Sequence, residues 1–232
     1  MSKDWINYWS KKNIWGKSYI WKKNSLVLFN NIKKFFSITD MNILDIGCGT
    51  GELIENLMIE ANSVCGVDIS DDYLKTCKKK FKQNKKVRIK SFKNNYSNLY
   101  KMNQKFDVIF CNSVVQYFSS EKEIIELAKS VKKVSIKGTK FLISDIMDFN
   151  DKKNLFRFIF YSIVRGYFFS LIKQYIILLF NPKYRKLENK YKLLKIDTKK
   201  TVRKLKLISK NIKIIDYPLT INVNRKHILI EF

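Results

Sequence analysis

Met41 to Gly51 reads M-N-I-L-D-I-G-C-G-T-G, and Val64 to Ser70 reads V-C-G-V-D-I-S. Ile43, Leu44 and Ile46 make a short apolar run, the pattern of a strand buried on both faces. Gly47, Gly49 and Gly51 then alternate in a G-x-G-x-G loop, and Glu52 to Ile59 has helical periodicity. Strand, glycine loop and helix in that order bring backbone N–H groups and a helix N-terminus close to a ligand. Asp68 follows Gly51 by about seventeen residues and ends a second apolar run, where a carboxylate can accept both hydroxyls of a ribose. Together the two stretches predict a nucleoside-binding site.

The dinucleotide fingerprint G-x-G-x-x-G requires a glycine where Glu52 stands, and Gly47 has no glycine-lysine pair five residues on, which excludes the phosphate loop. D-I-G-C-G-T-G instead resembles the first motif of class I S-adenosylmethionine-dependent methyltransferases, and V-C-G-V-D-I-S is similar to their second. F-D-V-I-F-C (Phe106 to Cys111) looks like their fourth. The resemblance extends over roughly residues 40 to 146.

It implies an α/β fold: a doubly wound, seven-stranded, mostly parallel sheet with the last strand reversed. It also implies S-adenosylmethionine as the cofactor. Asp45, Gly47, Gly49 and Gly51 would shape the loop around the methionine and ribose, and Asp68 would hold the ribose hydroxyls. Cys48 and Ile69, within the same motifs, and Asn112, after the fourth strand, are also expected at the cofactor. After the third strand the family usually carries an acidic residue for the adenine amine. Here K-N-N-Y-S-N-L offers Asn94 or Asn95, whose amide oxygen can still accept, and Asn95 with Tyr96 is expected to border the adenine.

A chain of 232 residues with 46% apolar content can bury one substantial core. The domain division expected is a helical arm over 1–36 and a methyltransferase domain over 37–232, with a helical insert at about 152–210 before the sixth strand. Met1 to Lys23 mixes Trp, Lys and Asn, unlike a signal peptide. Cys48, Cys65, Cys77 and Cys111 show no C-x-x-C spacing and His227 is the sole histidine, so no metal site is expected. Scattered cysteines suit a reducing cytoplasm.

The net charge of +26 raises a nucleic-acid reading. Against it, the cations are overwhelmingly lysines in a chain biased toward Lys, Asn, Ile, Phe and Tyr. The N-P-P-Y and D-P-P-Y sequences that hold a planar nucleic-acid amine are missing. Nor does the end of the fourth strand offer a Pro-Cys or Thr-Cys nucleophile pair, since Phe110 precedes Cys111. A small-molecule, glycan-precursor or lipid-linked acceptor is therefore favoured over RNA. An RNA methyltransferase and a non-catalytic cofactor-binding scaffold are the two rivals.

The arm carries Trp5, Trp9, Trp15 and Trp21, and Ser25 to Phe36 reads as an amphipathic helix. Such an arm covers either the acceptor pocket or the sheet edge; Tyr8, Trp9, Trp15 and Tyr19 are its candidate site residues. Ser70 and Asp71 cap a helix predicted from Asp72, and Ser120 with Glu123 forms a capping box for the next one. Gly138 is expected to turn the chain into a fifth strand over Lys140 to Ile146. The loop after the fourth strand lies where cofactor and acceptor meet in such sheets. Asn112, Ser113, Gln116 and Tyr117 are its acceptor-facing residues. For a hydroxyl acceptor that calls for a base, Tyr117 and Asp145 are the catalytic candidates. His227, in the last predicted strand, is given a structural role.

Leu155 to Phe180 is intensely apolar but interrupted by Arg157, Arg165 and Lys173, which predicts helices broken near Gly166 and stopped by Pro182 rather than a span. Three roles stay open for it: a lid, a homodimer face, or a peripheral contact with the inner membrane face, aided by the basic run from Lys183 to Lys213.

Overall fold

The structure, a computed structural model, describes residues 1–10, 19–92, 96–149 and 155–232. Seven strands form one sheet: β1 (Asn42–Ile46), β2 (Ser63–Asp68), β3 (Val87–Ser91), β4 (Phe106–Asn112), β5 (Ser135–Ile146), β6 (Asn211–Ile215) and β7 (Lys226–Glu231). Their order is β3-β2-β1-β4-β5-β7-β6. β1 to β5 pair in parallel, while β7 runs antiparallel to both β5 and β6. The expected doubly wound sheet with a reversed last strand is the fold observed. The strand order reverses between β1 and β4, so a crevice opens at their carboxyl ends.

Both faces of the sheet are covered, which is why β1 reads as continuously apolar. Leu44 and Ile46 point into a core shared with α5 (Glu121–Lys133) and α9 (Thr198–Leu205). Ile43 points into the opposite core, against α2 (Tyr19–Ile32), α3 (Glu52–Leu57) and α4 (Asp71–Lys80). A short helix α1 (Lys3–Trp9) buries Trp5 and Trp9 above the sheet's carboxyl end, with the Ser2 hydroxyl accepting from the Trp5 N–H. The insert forms α6 (Leu155–Val164), α7 (Phe168–Leu179) and α8 (Pro182–Lys190). It breaks at Gly166 (φ +70°), and Pro182 occupies the first turn of α8, as the sequence predicts.

Several local expectations need correction. The helix predicted over Ser25 to Phe36 is already formed at Tyr19, the first residue described after 10, and ends at Ile32, with Ile20, Leu28, Phe29 and Ile32 buried. Helix α4 begins at Asp71, with the Ser70 hydroxyl accepting from the Tyr73 N–H. The capping box at Ser120 does not form: Glu123 instead accepts from the Ser119 N–H at 2.7 Å and meets the Met1 amino group. Strand β5 begins earlier than predicted and carries Gly138 as an irregularity at φ +88° rather than as its entry turn. Thr139 makes this workable, since its hydroxyl donates to the Phe106 carbonyl at 2.7 Å and accepts from the Ile136 N–H at 2.8 Å. Side-chain bonds replace ladder bonds across the register shift between Phe106 and Val108.

Gly66, central in β2, lies under α3 and the glycine loop. A Cβ there would stand 2.6 Å from the Ile54 Cδ1 and 2.9 Å from the Cys48 Sγ. Gly66→Ala should therefore cost roughly 1–3 kcal/mol by overpacking. In a thermal melt that is a fall of about 2–4 °C for each kcal/mol; an unchanged or raised Tm contradicts the packing described.

Candidate active site

The glycine loop is stitched to β2 by backbone. Gly47 N–H and Cys48 N–H both donate to the Val67 carbonyl, at 2.8 and 3.1 Å. Gly47, Gly49 and Gly51 all have positive φ, a region that costs side-chain-bearing residues. At Gly47 space forbids a side chain as well, since a Cβ would lie 2.3 Å from Val114. Gly51 caps the start of α3 and packs on Phe81 and Cys77, one step behind the site.

A cavity of about 350 Å³ opens beside this loop. Asp45, Gly47, Cys48, Gly49, Asp68, Ile69, Tyr96 and Asn112 line it, as do Ser113, Gln116, Tyr117 and Asp145, the residues expected toward an acceptor. Asn94 and Asn95 lie outside the described residues. Of the arm residues, Trp9 lines the cavity, Tyr8 packs edge-on behind it and Tyr19 is exposed. Trp15 lies outside the described residues.

The electrostatics at the loop are set by two buried carboxylates. Asp68 accepts from the Gly49 N–H at 2.9 Å through one oxygen and from the Ser70 N–H at 2.8 Å through the other. Burial nonetheless raises its pKa above the ordinary carboxylate value. Asp45 lacks such compensation: its Oδ2 is buried without a hydrogen-bond partner. Burial first, then the charges of Asp68 and Glu52, push its pKa up to about 8. An orphaned acidic oxygen beside a glycine cradle suits a cationic ligand that also offers hydroxyls. S-adenosylmethionine, with an ammonium, a sulfonium and a ribose, fits that donor set.

Across the cavity the walls change character. Trp9, Trp21, Tyr73, Tyr117 and Tyr184 form an aromatic wall, with Trp9 and Tyr117 ring centroids 5.0 Å apart. Burial raises the Tyr117 phenol well above its usual pKa, which favours its neutral, hydrogen-bond-donating form. Below the wall, the Ser113 hydroxyl donates to Asp145 Oδ2 at 2.7 Å. Arg225 Nε stands 3.3 Å from Asp145 Oδ1. Both Ser113 (φ +58°) and Asp145 (φ +64°) are left-handed, a conformation costing about 1–3 kcal/mol each and concentrated at functional sites. Asn112 accepts from the Ser144 hydroxyl at 2.7 Å, which leaves its amide nitrogen as a donor.

His227 is fully buried beneath this group. The Asp145 N–H approaches its Nδ1 at 3.2 Å and the Leu219 N–H its Nε2 at 3.3 Å. A neutral ring accepts at one nitrogen only, so one approach is a contact rather than a bond. Burial, then Lys226 and Arg225, pushes its pKa down to about 3. A ring so held braces the Asp145 backbone.

The sequence reading missed Arg225, Trp21, Tyr73 and Tyr184. The rings carried a composition signal, but their convergence depends on α1, α2, α4 and α8 meeting over the sheet. Arg225 sits alone between two strands and had no spacing signal.

A strand–glycine-loop–helix cradle, an acidic residue ending the next strand, and a cavity at the switch point of a doubly wound sheet define a nucleoside-dependent transferase site. A family model described as a methyltransferase domain matches residues 38–174, and the chain belongs to that family. A protein of Geobacillus sp. (strain WCH70) named as a methyltransferase is 39% identical over 84 residues, 35% of this chain and 33% of that one. The ubiquinone biosynthesis O-methyltransferase of Rickettsia bellii is 25% identical over 107 residues, covering 45% of this chain and 44% of the relative. These matches span less than half the relatives' length. Among solved structures, the pyocyanin biosynthetic protein PhzM superposes with a TM-score of 0.58 at 11% identity, over 89% of this chain and 55% of that one. That likeness concerns the fold.

The raised Asp45 pKa has a consequence for stability. Its reference value is 3.8 and its folded value about 8, so the native state holds a proton the unfolded chain has released between those limits. The associated stability is present at low pH and is lost as pH rises through the folded pKa. Asp45→Asn should flatten the fall in urea-measured stability between about pH 5 and 8. A variant with the wild-type pH slope contradicts the assignment.

Proposed function

We propose that the chain transfers a methyl group from S-adenosylmethionine to a nucleophile on a small, largely apolar acceptor: a metabolite, a glycan precursor or a lipid-linked molecule. The observation that carries this reading is one cavity walled on one side by the glycine loop and Asp68 and on the other by aromatic rings over Asp145. That a relative is named an O-methyltransferase supports an oxygen acceptor. A cytoplasmic location belongs to this reading.

When bound, S-adenosylmethionine supplies a methyl group already activated on a sulfonium. Asp45, Gly47, Gly49 and Asp68 would hold it, with Ile69 and Tyr96 as apolar neighbours. What the protein adds is alignment and exclusion of water. Trp9, Trp21 and Tyr117 enclose the acceptor. Tyr117 donates a hydrogen bond to the acceptor oxygen, and Asp145 Oδ1 takes its proton. Ser113 and Arg225 fix the orientation of that carboxylate.

The charge of +26 favours one second reading, an RNA acceptor. Methyl-labelled S-adenosylmethionine, the protein and an extract of its own cells separate the cases. The account predicts label that resists nuclease and enters organic solvent. Nuclease-sensitive label overturns the acceptor assignment, and tight cofactor binding without transfer to any fraction overturns catalysis.

Asp68→Ala should raise the Kd for S-adenosylhomocysteine at least about tenfold, since hydrogen bonds to a charged group contribute about 1.5–3 kcal/mol each. Asp68→Asn should fall between. Calorimetry showing wild-type affinity in Asp68→Ala removes Asp68 from the site.

A further inference from the structure

The insert has two unlike sides. Phe158 on α6 and Leu171 on α7 line the cavity. The opposite sides carry large apolar residues at helical spacing: Phe156, Phe160 and Ile163 on α6, and Phe169, Ile172 and Ile176 on α7. These lie in solvent, with Phe156 at 89% and Phe169 at 83% exposure. Most of the exposed large apolar side chains among the described residues fall between 155 and 180. A soluble monomer rarely shows so continuous an apolar face.

Charge decides what covers it. Residues 155–187 contain Arg157, Arg165, Lys173, Lys183, Arg185 and Lys186 and no acidic residue. All but Arg165 are exposed. Arg157 and Arg165 flank the Tyr161 ring, and Arg185 reaches the Leu179 carbonyl at 3.3 Å, tying the α8 cations to the end of α7. A second copy of this chain would bring like charges against like. Nucleic acid would satisfy the cations and leave the phenylalanines in water. No helix among the described residues is long and apolar enough to cross a membrane, so the face can lie in a bilayer interface but not span it.

We propose that α6 and α7 form a docking surface for an anionic lipid bilayer, with their apolar stripes in the headgroup–acyl boundary and the Arg/Lys set on the headgroups. The same two helices wall the cavity on their inner side, so docking brings that wall to the membrane surface.

The test uses the full chain in vesicle flotation, with phosphatidylcholine alone or with about one-third phosphatidylglycerol. Binding to the anionic vesicles should exceed that to neutral ones at least about tenfold at ~0.1 M salt and weaken as salt rises. The variant F156Q/F160Q/F169Q/I176Q, which leaves the cavity lining intact, should lose binding about tenfold or more while keeping its S-adenosylhomocysteine affinity. The variant R157Q/K173Q/K186Q should lose the preference for anionic vesicles. The proposal is overturned if the wild type binds neither vesicle, if the apolar variant binds as tightly as the wild type, or if the face instead holds a solution dimer that the apolar variant dissociates. Vesicle binding does not depend on the catalytic reading, so a protein that docks but transfers no methyl group contradicts only the latter.

Discussion

The site depends on one carboxylate held below the surface. Asp68 ends β2 and receives the Gly49 and Ser70 N–H groups, one on each oxygen. It thereby ties the loop after β1 to the start of α4. A buried carboxylate is costly unless hydrogen-bonded, so the loop's geometry and the charge sustain each other. Glycine is required there because the backbone must turn left-handed and approach Val114, Cys77 and Phe81 closely. With Asp68 committed to backbone, Asp45 has a buried oxygen without a hydrogen-bond partner beside the cavity, and burial raises its pKa.

The opposite wall follows the same logic at the ends of β4 and β5. Ser113 and Asp145 occupy left-handed backbone and meet side chain to side chain. That strain persists because neighbours over-determine it: the Ser113 N–H donates to the Ser144 carbonyl at 3.2 Å, and His227 buttresses the Asp145 N–H from beneath. The reversed strand β7 thus supplies His227 as well as closing the sheet, and the turn before it supplies Arg225. Residues near the end of the sequence thus help to build the cavity wall.

Much of this was legible in the sequence, for local reasons. β1, the glycine loop and Asp68 write themselves into consecutive residues, because a doubly buried strand and a left-handed loop constrain residue type directly. The break at Gly166 and the restart at Pro182 are equally local. The end of α2, the irregular entry to β5 and the unformed capping box at Ser120 were not legible. Each is decided by a distant partner: the core under Leu28, the carbonyl of Phe106, the amino group of Met1. The convergence of Trp21, Tyr73 and Tyr184 on the cavity, and the Arg225–Asp145 pair, belong to that second kind. That Tyr117 lines the cavity was legible; that burial raises its phenol pKa was not.

The central claim is that one cavity holds the nucleoside against the glycine loop and leaves the aromatic side for the acceptor. A crystal structure with S-adenosylhomocysteine tests it most directly. The account predicts density for the ribose at Asp68, for the amino-acid end at Asp45 and the glycine loop, and free space beside Tyr117 and Asp145. Ligand bound elsewhere, or ligand filling the aromatic side with Asp45 and Asp68 untouched, would contradict it.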